Sequence, residues 1–446
     1  MISKNEIKQA LTDLKSRSAV YTKCERYYAG QHDLVFATEK FRNAFGFLFR
    51  AFSDNLMPAV VDAVADKLEV TSFQVEEGAT TLGDEAWALW ERNRMDARAG
   101  EVHQEALRTG DAYCIVWPDK DGNATIYPQR AALCTVRYDQ EIPGHILWGA
   151  KLWFTPAPDV KVRLNLYFPD RIEKYVTVNT CPNGLPEAEG MFVEYRVTGE
   201  AWPLANDYGV VPVFHFANNA AVGRMGVSEL RNVMRLQDAL NKSVLDMMVA
   251  MEFAAFRQRW ATGIEIEFDK DGKPIAPFEP GVERLWTSDS PETKFGEFEE
   301  SNLERFIKVQ DSFRAEIARV SGVPFHYLML NTGHFPSGEA LKTAEMRHLA
   351  KVKDRQTAFG NTWEDVIGLA LRMSGKNEQA QLITVWTDPA PTSVVDQLNA
   401  LILKQQLGIP DEQLWAEAGY GAADIAKMLA RKTKLRAEAQ QQFNAQ

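Results

Sequence analysis

The run from Ser337 to Gly375 constrains the fold more than any other part of the chain. Ser337 is placed to cap a helix and Ser374-Gly375 to end it, which predicts a rod about 57 Å long at 1.5 Å per residue. A compact domain has no need of such a length, so the rod reads as a spine linking distant parts. Two shorter helices precede it. The first starts at Ser228, keeps Leu230, Val233, Leu240, Val244, Met247, Met251 and Ala254 on a 3.6-residue period, and ends at Gly263. The second runs from a capping box, Ser301 with Glu304, to Gly322 and Pro324. Between them, Ile264 to Glu300 reads as a β-like insert with a hairpin signal at Asp271-Gly272.

The N-terminal segment predicts a helix opened by Ser3 and Glu6, carrying Ile7, Leu11, Leu14, Tyr21 and Tyr28 on one face and closed at Gly30. Phe41 to Val70 is apolar and helical in pattern, interrupted at Met57-Pro58, and a third helix is expected from Asp84 to Thr109, stopped by Gly110. From Asp111 to Phe216 the texture changes. Ala112 to Trp117, Gly149 to Phe154 and Val210 to Phe214 are short runs of β-branched and aromatic residues punctuated by Pro, Gly and Asn. They predict an antiparallel meander, which disfavours a doubly wound nucleotide-binding sheet. Leu382 to Trp386 reads as a lone strand returning to an earlier sheet. The C-terminal stretch is helical in pattern, turned at Gly408-Ile409-Pro410 and near Gly419-Tyr420-Gly421. The expected fold class is α+β, helix-rich, with long helices.

Composition narrows the function. Over 446 residues the chain is 45% hydrophobic and 11% aromatic, which excludes a disordered, collagenous or disulfide-scaffold protein. With 61 acidic against 50 basic side chains the net charge is −11, the wrong sign for a protein that grips duplex DNA tightly. Cys24, Cys114, Cys134 and Cys181 form no CxxC pair and read as reduced or buried thiols. No basic-then-apolar leader opens the sequence, and its most apolar stretch, Val244 to Phe256, is broken by Asp246 and Glu252. A soluble protein made in a cytoplasm, with no membrane partner, is expected.

The search for catalytic motifs is negative. Asp-Lys-Asp-Gly occurs at Asp119 and Asp269, but its glycine falls at the fourth position where a calcium loop needs it at the sixth. Pro169-Asp170 with Glu173-Lys174 hints at a metal-nuclease core, yet a carboxylate and lysine adjacent on a strand point to opposite faces. There is no HExxH, GxSxG, phosphate loop or GxGxxG. His326, His334 and His348 have no ligand spacing and read as surface or loop histidines. No cofactor, metal or catalytic residue is assigned, and an enzyme is not expected. A metal-dependent nuclease using Asp170 and Glu173, or a monomeric adaptor or scaffold module, stand as alternatives.

Charge is distributed unevenly. The insert from Ile264 to Glu300 carries eleven acidic residues, among them Glu265, Glu267, Asp269, Asp271, Glu279 and Glu283, against four basic ones. It is either a solvated protrusion or a docking surface whose sign matters. The start of the long helix (Lys342, Arg347, Lys351, Lys353, Arg355) and the C-terminal tail are basic.

Several runs share one further property. Tyr27-Tyr28-Ala29-Gly30, Leu107-Arg108-Thr109-Gly110-Asp111-Ala112-Tyr113, Val211 to Phe216, Gly226-Val227-Ser228-Glu229-Leu230 with Leu236 to Lys242, and Ser337 to Lys342 occur in an order that resembles the portal (head-to-tail connector) proteins of tailed bacteriophages, specifically the large siphophage-type family. The resemblance implies a ring, usually of twelve subunits in the family, at one capsid vertex. It implies a wing over residues 1–225, stem helices at 226–258 and 301–322, and a clip at 259–300. A tunnel loop at 323–336, a spine helix at 337–375, a strand returning to the wing at 376–395 and a crown at 396–446 complete it. On that basis Asn331, Thr332, Gly333, His334 and Phe335, with Lys342 and Arg347, are candidates for the DNA channel, and the six insert carboxylates named above for partner docking. The implied partners are other copies of the chain, double-stranded DNA, the terminase large subunit, a head-tail adaptor and a major capsid or scaffolding protein. The implied locations are the virion and, during assembly, the host cytoplasm.

Overall fold

The structure, a computed structural model, describes residues 3–33, 54–75, 80–182, 184–222, 224–255, 259–263, 268–270, 291–297, 303–328, 338–376, 381–390, 394–418 and 427–434, with single positions 36, 39, 43 and 425. Residues 1–388 form one compact unit and 389–446 a second.

Helix α1 (Lys4–Tyr28) turns Ile7, Ala10, Leu11 and Leu14 inward at helical spacing, then Tyr21, Cys24 and Tyr27. Ser3 sits at its N-cap without a side-chain capping bond. Tyr27, not Tyr28, is the fully buried tyrosine, and Tyr28 donates to Asp62 at 2.9 Å. In α2 (Met57–Ala65), Pro58 lies in the first turn and starts the helix, where its missing N–H costs nothing. Strand β1 (Val70–Val75) follows.

The single helix expected from Asp84 to Thr109 is two, α3 (Thr80–Arg92) and α4 (Met95–Thr109). Arg94 between them adopts φ 53°. The buried Asn93 side chain explains the break: it donates to the carbonyls of Leu89 (3.0 Å) and Ala124 (3.3 Å) and accepts the Ile126 N–H (2.9 Å), tying the chain to a strand. Gly110, at φ 105°, ends α4.

The meander is antiparallel throughout. Strands β2 (Asp111–Pro118), β3 (Ala124–Arg130), β4 (Cys134–Tyr138), β5 (Ile146–Phe154), β6 (Val162–Tyr167), β7 (Arg171–Thr177), β8 (Phe192–Glu194), β9 (Leu204–Ala205) and β10 (Val213–Ala217) form two sheets. One has the order β10-β2-β3; the other runs β4-β5-β6-β7-β8, with β9 paired to β7. Asp119 accepts the N–H groups of Asp121 and Asn123 at the β2–β3 tip, so the first Asp-Lys-Asp-Gly is a hairpin turn.

Helix α5 (Met234–Ala255) starts later than Ser228, because residues 229–233 are a turn in which Leu230 N–H bonds the Ser228 hydroxyl at 3.0 Å. It also stops short of Gly263: β11 (Arg259–Thr262) is extended and pairs with β12 (Lys294–Glu297). Helix α6 (Leu303–Ser321) packs along α5, and Gly322 closes it at φ 74°. After a helical turn, α7 (Phe325–Leu328), comes α8 (Gly338–Met373), 36 residues, about 54 Å long. Strand β13 (Leu382–Trp386) returns to β1, antiparallel. The second unit holds α9 (Val394–Gln406) and α10 (Asp411–Glu417); within it Lys432 pairs with Asp411 over the Trp415 ring. The mixed helix and sheet content is α+β.

The first unit holds three apolar clusters, the smallest of them around Tyr113, Ile115, Ile172 and Val213. The α1 residues Ile7 to Leu14 pack on one face of the larger sheet against Ala150, Leu152, Leu164 and Leu166. Another cluster joins α2, α3, α4, β2, α5 and α8 around Trp90 and Trp363, whose rings meet edge-on at 4.9 Å. All four cysteines are free and buried. The histidines depart from the surface reading: His32, His103, His215 and His348 are buried, the first three with both ring nitrogens partnered inside and His348 held through Nε2 on Ala63 O at 3.0 Å. His326, by contrast, is partly exposed beside Glu345. His334 lies outside the described residues.

Candidate functional site

The runs quoted separately in the sequence converge on one joint. Gly110, at the end of α4, lies against Gly226, ahead of α5. A Cβ on Gly226 would overlap the Gly110 carbonyl, and one on Gly110 would come within 2.9 Å of the Gly226 carbonyl carbon. Backbone bonds close the seam: Asn218 N–H to Gly110 O at 2.8 Å, and Glu229 N–H to Leu107 O at 2.9 Å. The Ser228 hydroxyl donates to Arg108 O at 2.5 Å.

Asp111, with no exposed surface, is the hub. One carboxylate oxygen accepts the Gly226 N–H (2.6 Å) and His215 Nε2 (2.8 Å); the other accepts the Tyr21 hydroxyl (2.7 Å) and the Arg17 guanidinium. Arg17 also reaches Gly226 O at 3.1 Å, and Tyr138 places its hydroxyl 2.8 Å from His215 Nδ1. Burial alone would raise the Asp111 pKa; the His215 hydrogen bond, with the His215 and Arg17 charges and the Tyr21 bond, outweighs it and holds the carboxyl below its ordinary value.

Two more layers root α5. Tyr27 donates to Asp238 at 2.8 Å, and Asp238, desolvated in this setting, is pushed up to about 6. Gln237 accepts the Leu56 N–H (3.1 Å), Asn241 accepts the Asp54 N–H (3.1 Å) and bonds His32 (2.7 Å), and Arg314 of α6 pairs with Asp54 at 2.8 Å. On the other side buried Glu229 binds Lys351 (2.5 Å) and Arg355 (3.1 Å) of α8. Burial opposes the Glu229 charge, and Lys351 and Arg355 together prevail, lowering its pKa. Lys351 also donates to Ser321 O at 2.9 Å and Arg347 to Arg319 O at 3.3 Å, so cations of α8 cover the C-terminus of α6. A cleft of about 350 Å³ opens there.

Of the candidates named from sequence, Arg347 is placed here, exposed at the end of α6. Lys342 lies in α8 with its side chain outside the described residues, as are Asn331, Thr332, Gly333, His334 and Phe335. In the insert Asp269 is described and exposed; Glu265, Glu267, Asp271, Glu279 and Glu283 lie outside the described residues. Asp170 and Glu173 do not form a metal site. Glu173 is buried and accepts the Tyr175 hydroxyl (2.5 Å) and Arg171 Nε (2.8 Å), while Asp170 is exposed on Arg171. Among the described residues no three His, Cys, Asp or Glu side chains gather as metal ligands, and no helix is long and apolar enough to cross a membrane. Sequence reading missed Asp111, His215, Arg17 and Tyr21 as a unit. The available signal was that Gly110-Asp111 and Gly226 both sit in runs carrying the family resemblance.

The joint is close backbone packing and a dense set of hydrogen bonds to main-chain groups, from which the helices project. A profile of the family described as phage portal protein, SPP1 Gp6-like, matches residues 7–439, and the chain belongs to that family. The portal protein of Mycobacterium phage D29 is 26% identical over 388 residues, covering 82% of this chain and 76% of that one. The portal protein of Mycobacterium phage L5 is 25% identical over 392 residues, with the same shares covered. Among solved structures, a chain from the virion of a native gene transfer agent particle aligns over 90% of this chain and 89% of its own, at TM-score 0.44 and 15% identity. A chain from the neck of an empty gene transfer agent particle aligns over 87% and 91%, at TM-score 0.45 and 14% identity.

Proposed function

We propose that the chain closes into a ring of twelve copies at one capsid vertex, and that the ring is the channel through which a separate motor moves double-stranded DNA during packaging and through which DNA later leaves. The reading is supported above all by portal-family membership over residues 7–439. In these terms α5 and α6 are the stem, the 259–300 insert the clip, α8 the spine and 396–446 the crown. Residues 331–335, with Lys342 and Arg347, face DNA. Glu265, Glu267, Asp269, Asp271, Glu279 and Glu283 dock the terminase large subunit and then the head-tail adaptor, and the wing meets the capsid or scaffolding protein. The chain itself carries out no catalysis. A net charge of −11 per copy suits this role, since several phosphate contacts per subunit around a ring would hold DNA too tightly to slide.

Negative-stain images and native mass measurement at rising protein concentration test the proposal. Rings with a central pore and a mass near twelve times 50.3 kDa are expected. Solitary compact particles at every concentration would overturn it and favour the adaptor reading. For the clip, reversing Glu265, Glu267 and Asp269 together should weaken capture of the adaptor.

A further inference from the structure

The larger sheet gives one face to α1. Its other face meets the β10-β2-β3 sheet over only part of its width. Where they touch, Gly149 makes room for Val213, whose methyl carbon lies 2.7 Å from where a Cβ would stand, and Tyr113, Ile115 and Ile172 fill the contact. Beyond it the sheets diverge around a cleft of about 230 Å³. Trp117 and Tyr127 of the smaller sheet and Tyr167 of the larger wall it. Its floor is one cross-strand row, Lys151 of β5, Asn165 of β6 and Lys174 of β7, in direct register.

Two floor groups are unfinished. Lys174 is neutralised by Glu200. Lys151 has neither a carboxylate nor a hydrogen-bond acceptor among the described residues; its ammonium rests 5.2 Å from the Trp153 ring centre. Burial draws its pKa below the ordinary lysine value, as expected of a desolvated cation lacking a counter-charge. Beside it Asn165 Nδ2 donates to the Tyr167 hydroxyl at 3.3 Å, while Asn165 Oδ1 is buried without a partner. Buried polar atoms are nearly always satisfied, so the pair calls for a ligand offering a carboxylate to Lys151 and an N–H to Asn165. Neighbouring strands lie about 4.8 Å apart, which suits two groups borne by one amino-acid residue. A peptide's last residue carries both, and the aromatic walls accept an apolar side chain on it.

We propose that this cleft binds the C-terminal residue of a partner peptide: its carboxylate on Lys151, its amide N–H on Asn165 Oδ1, and an aromatic or large aliphatic side chain between Trp117, Tyr127 and Tyr167. The site requires no ring assembly, so its failure would leave the portal reading standing.

Saturation-transfer NMR on the full chain tests it with three probes: N-acetyl-phenylalanine, its uncharged amide, and N-acetyl-glutamyl-phenylalaninamide, whose only carboxylate is on a side chain. The first should bind, and the other two about tenfold more weakly or worse, the effect of losing a bond to a charged group. Lys151→Met should weaken the first probe about tenfold and Asn165→Asp should abolish its binding. Lys120→Met, at the exposed β2–β3 tip, should change nothing. Unaltered thermal midpoints certify that the variants fold. Equal binding of the amide, affinity retained in Lys151→Met, or no binding of N-acetyl-phenylalanine overturns the proposal; equal binding of the glutamyl probe overturns the chain-end assignment.

Discussion

Asp111→Asn changes one atom at the hub and leaves shape intact, so its cost can be worked out from the contacts. The carboxylate serves four donors, two per oxygen. An amide has a single acceptor oxygen, and that oxygen must face Gly226 and His215, because the Gly226 N–H cannot turn away. Its NH₂ then points at Tyr21, which can rotate to accept, and at Arg17, which cannot. Breaking a buried ion pair costs about 3–5 kcal/mol. Arg17 is 25% exposed and can turn toward water, which places the loss near the lower end, about 3 kcal/mol. For Met1–Asp388, one compact unit, unfolding together would carry an entropy of about 0.8 kcal/mol/K, so the midpoint should fall by about 4 °C. Circular-dichroism melts at pH 7 measure it, with Asp121→Asn at an exposed turn as control. The pH dependence supplies a second reading. Because the folded pKa of Asp111 lies below its unfolded value of 3.8, its stabilisation is complete above that value and disappears as pH falls through the folded pKa. The gap between wild type and variant should therefore narrow only under strongly acidic conditions. A shift under about 1 °C at pH 7, or a gap independent of pH, would refute the hub argument.

Two glycines give opposite forecasts. Gly226→Ala forces a Cβ into the Gly110 backbone and should lower the melting midpoint by several degrees, whereas Gly100, with open space around its Cβ position in α4, should tolerate alanine and gain up to about 1 kcal/mol in helix propensity. His103 donates from Nδ1 to Leu68 O at 3.2 Å and accepts the Trp363 indole N–H at 2.8 Å; full burial brings its pKa down to about 4. Since that value is below the unfolded 6.5, stability from this group is present above pH 6.5 and is lost as pH falls toward 4. Denaturant titrations at pH 7 and pH 4.5 should show this loss in wild type and a smaller one in His103→Gln; equal losses would exclude His103 as its source.

Periodicity and punctuation made much of the fold legible. Helix α8 and its end at Gly375, α6 with Gly322, the antiparallel strands and the return of Leu382–Trp386 all followed from local signals. Misreadings arose where tertiary contacts override local preference. The break after Arg92 is made by a side chain bonding a strand about thirty residues onward, and no window of helical sequence contains that information. The turn at 229–233 exists because Glu229 and Ser228 are committed to α4 and α8. The contacts of the joint were not legible for the same reason: Arg17, Asp111, His215 and Gly226 are scattered along the chain, and the runs holding Asp111 and Gly226 mark those positions without showing that they meet. The basic lean of α8 was visible as composition, but its partners, the end of α6 and Glu229, were not.

The placement of the joint follows from leverage. With 22 residues, α5 is about 33 Å long, so a tilt of about 5° at its root moves its far end by about 3 Å. An error of that size would misplace any surface carried beyond α5 and α6. Side chains resting on side chains can shift by that much through rotamer changes, whereas bonds to backbone groups cannot. The contacts at the root are of the second kind: Gly226 N–H to Asp111, Glu229 N–H to Leu107 O, Leu56 N–H to Gln237 and Asp54 N–H to Asn241. Two glycines let main chains meet without intervening side chains. Substitutions that soften this root should therefore disturb functions exerted at the tip before they unfold the protein, and those that only trim apolar bulk elsewhere should do the reverse.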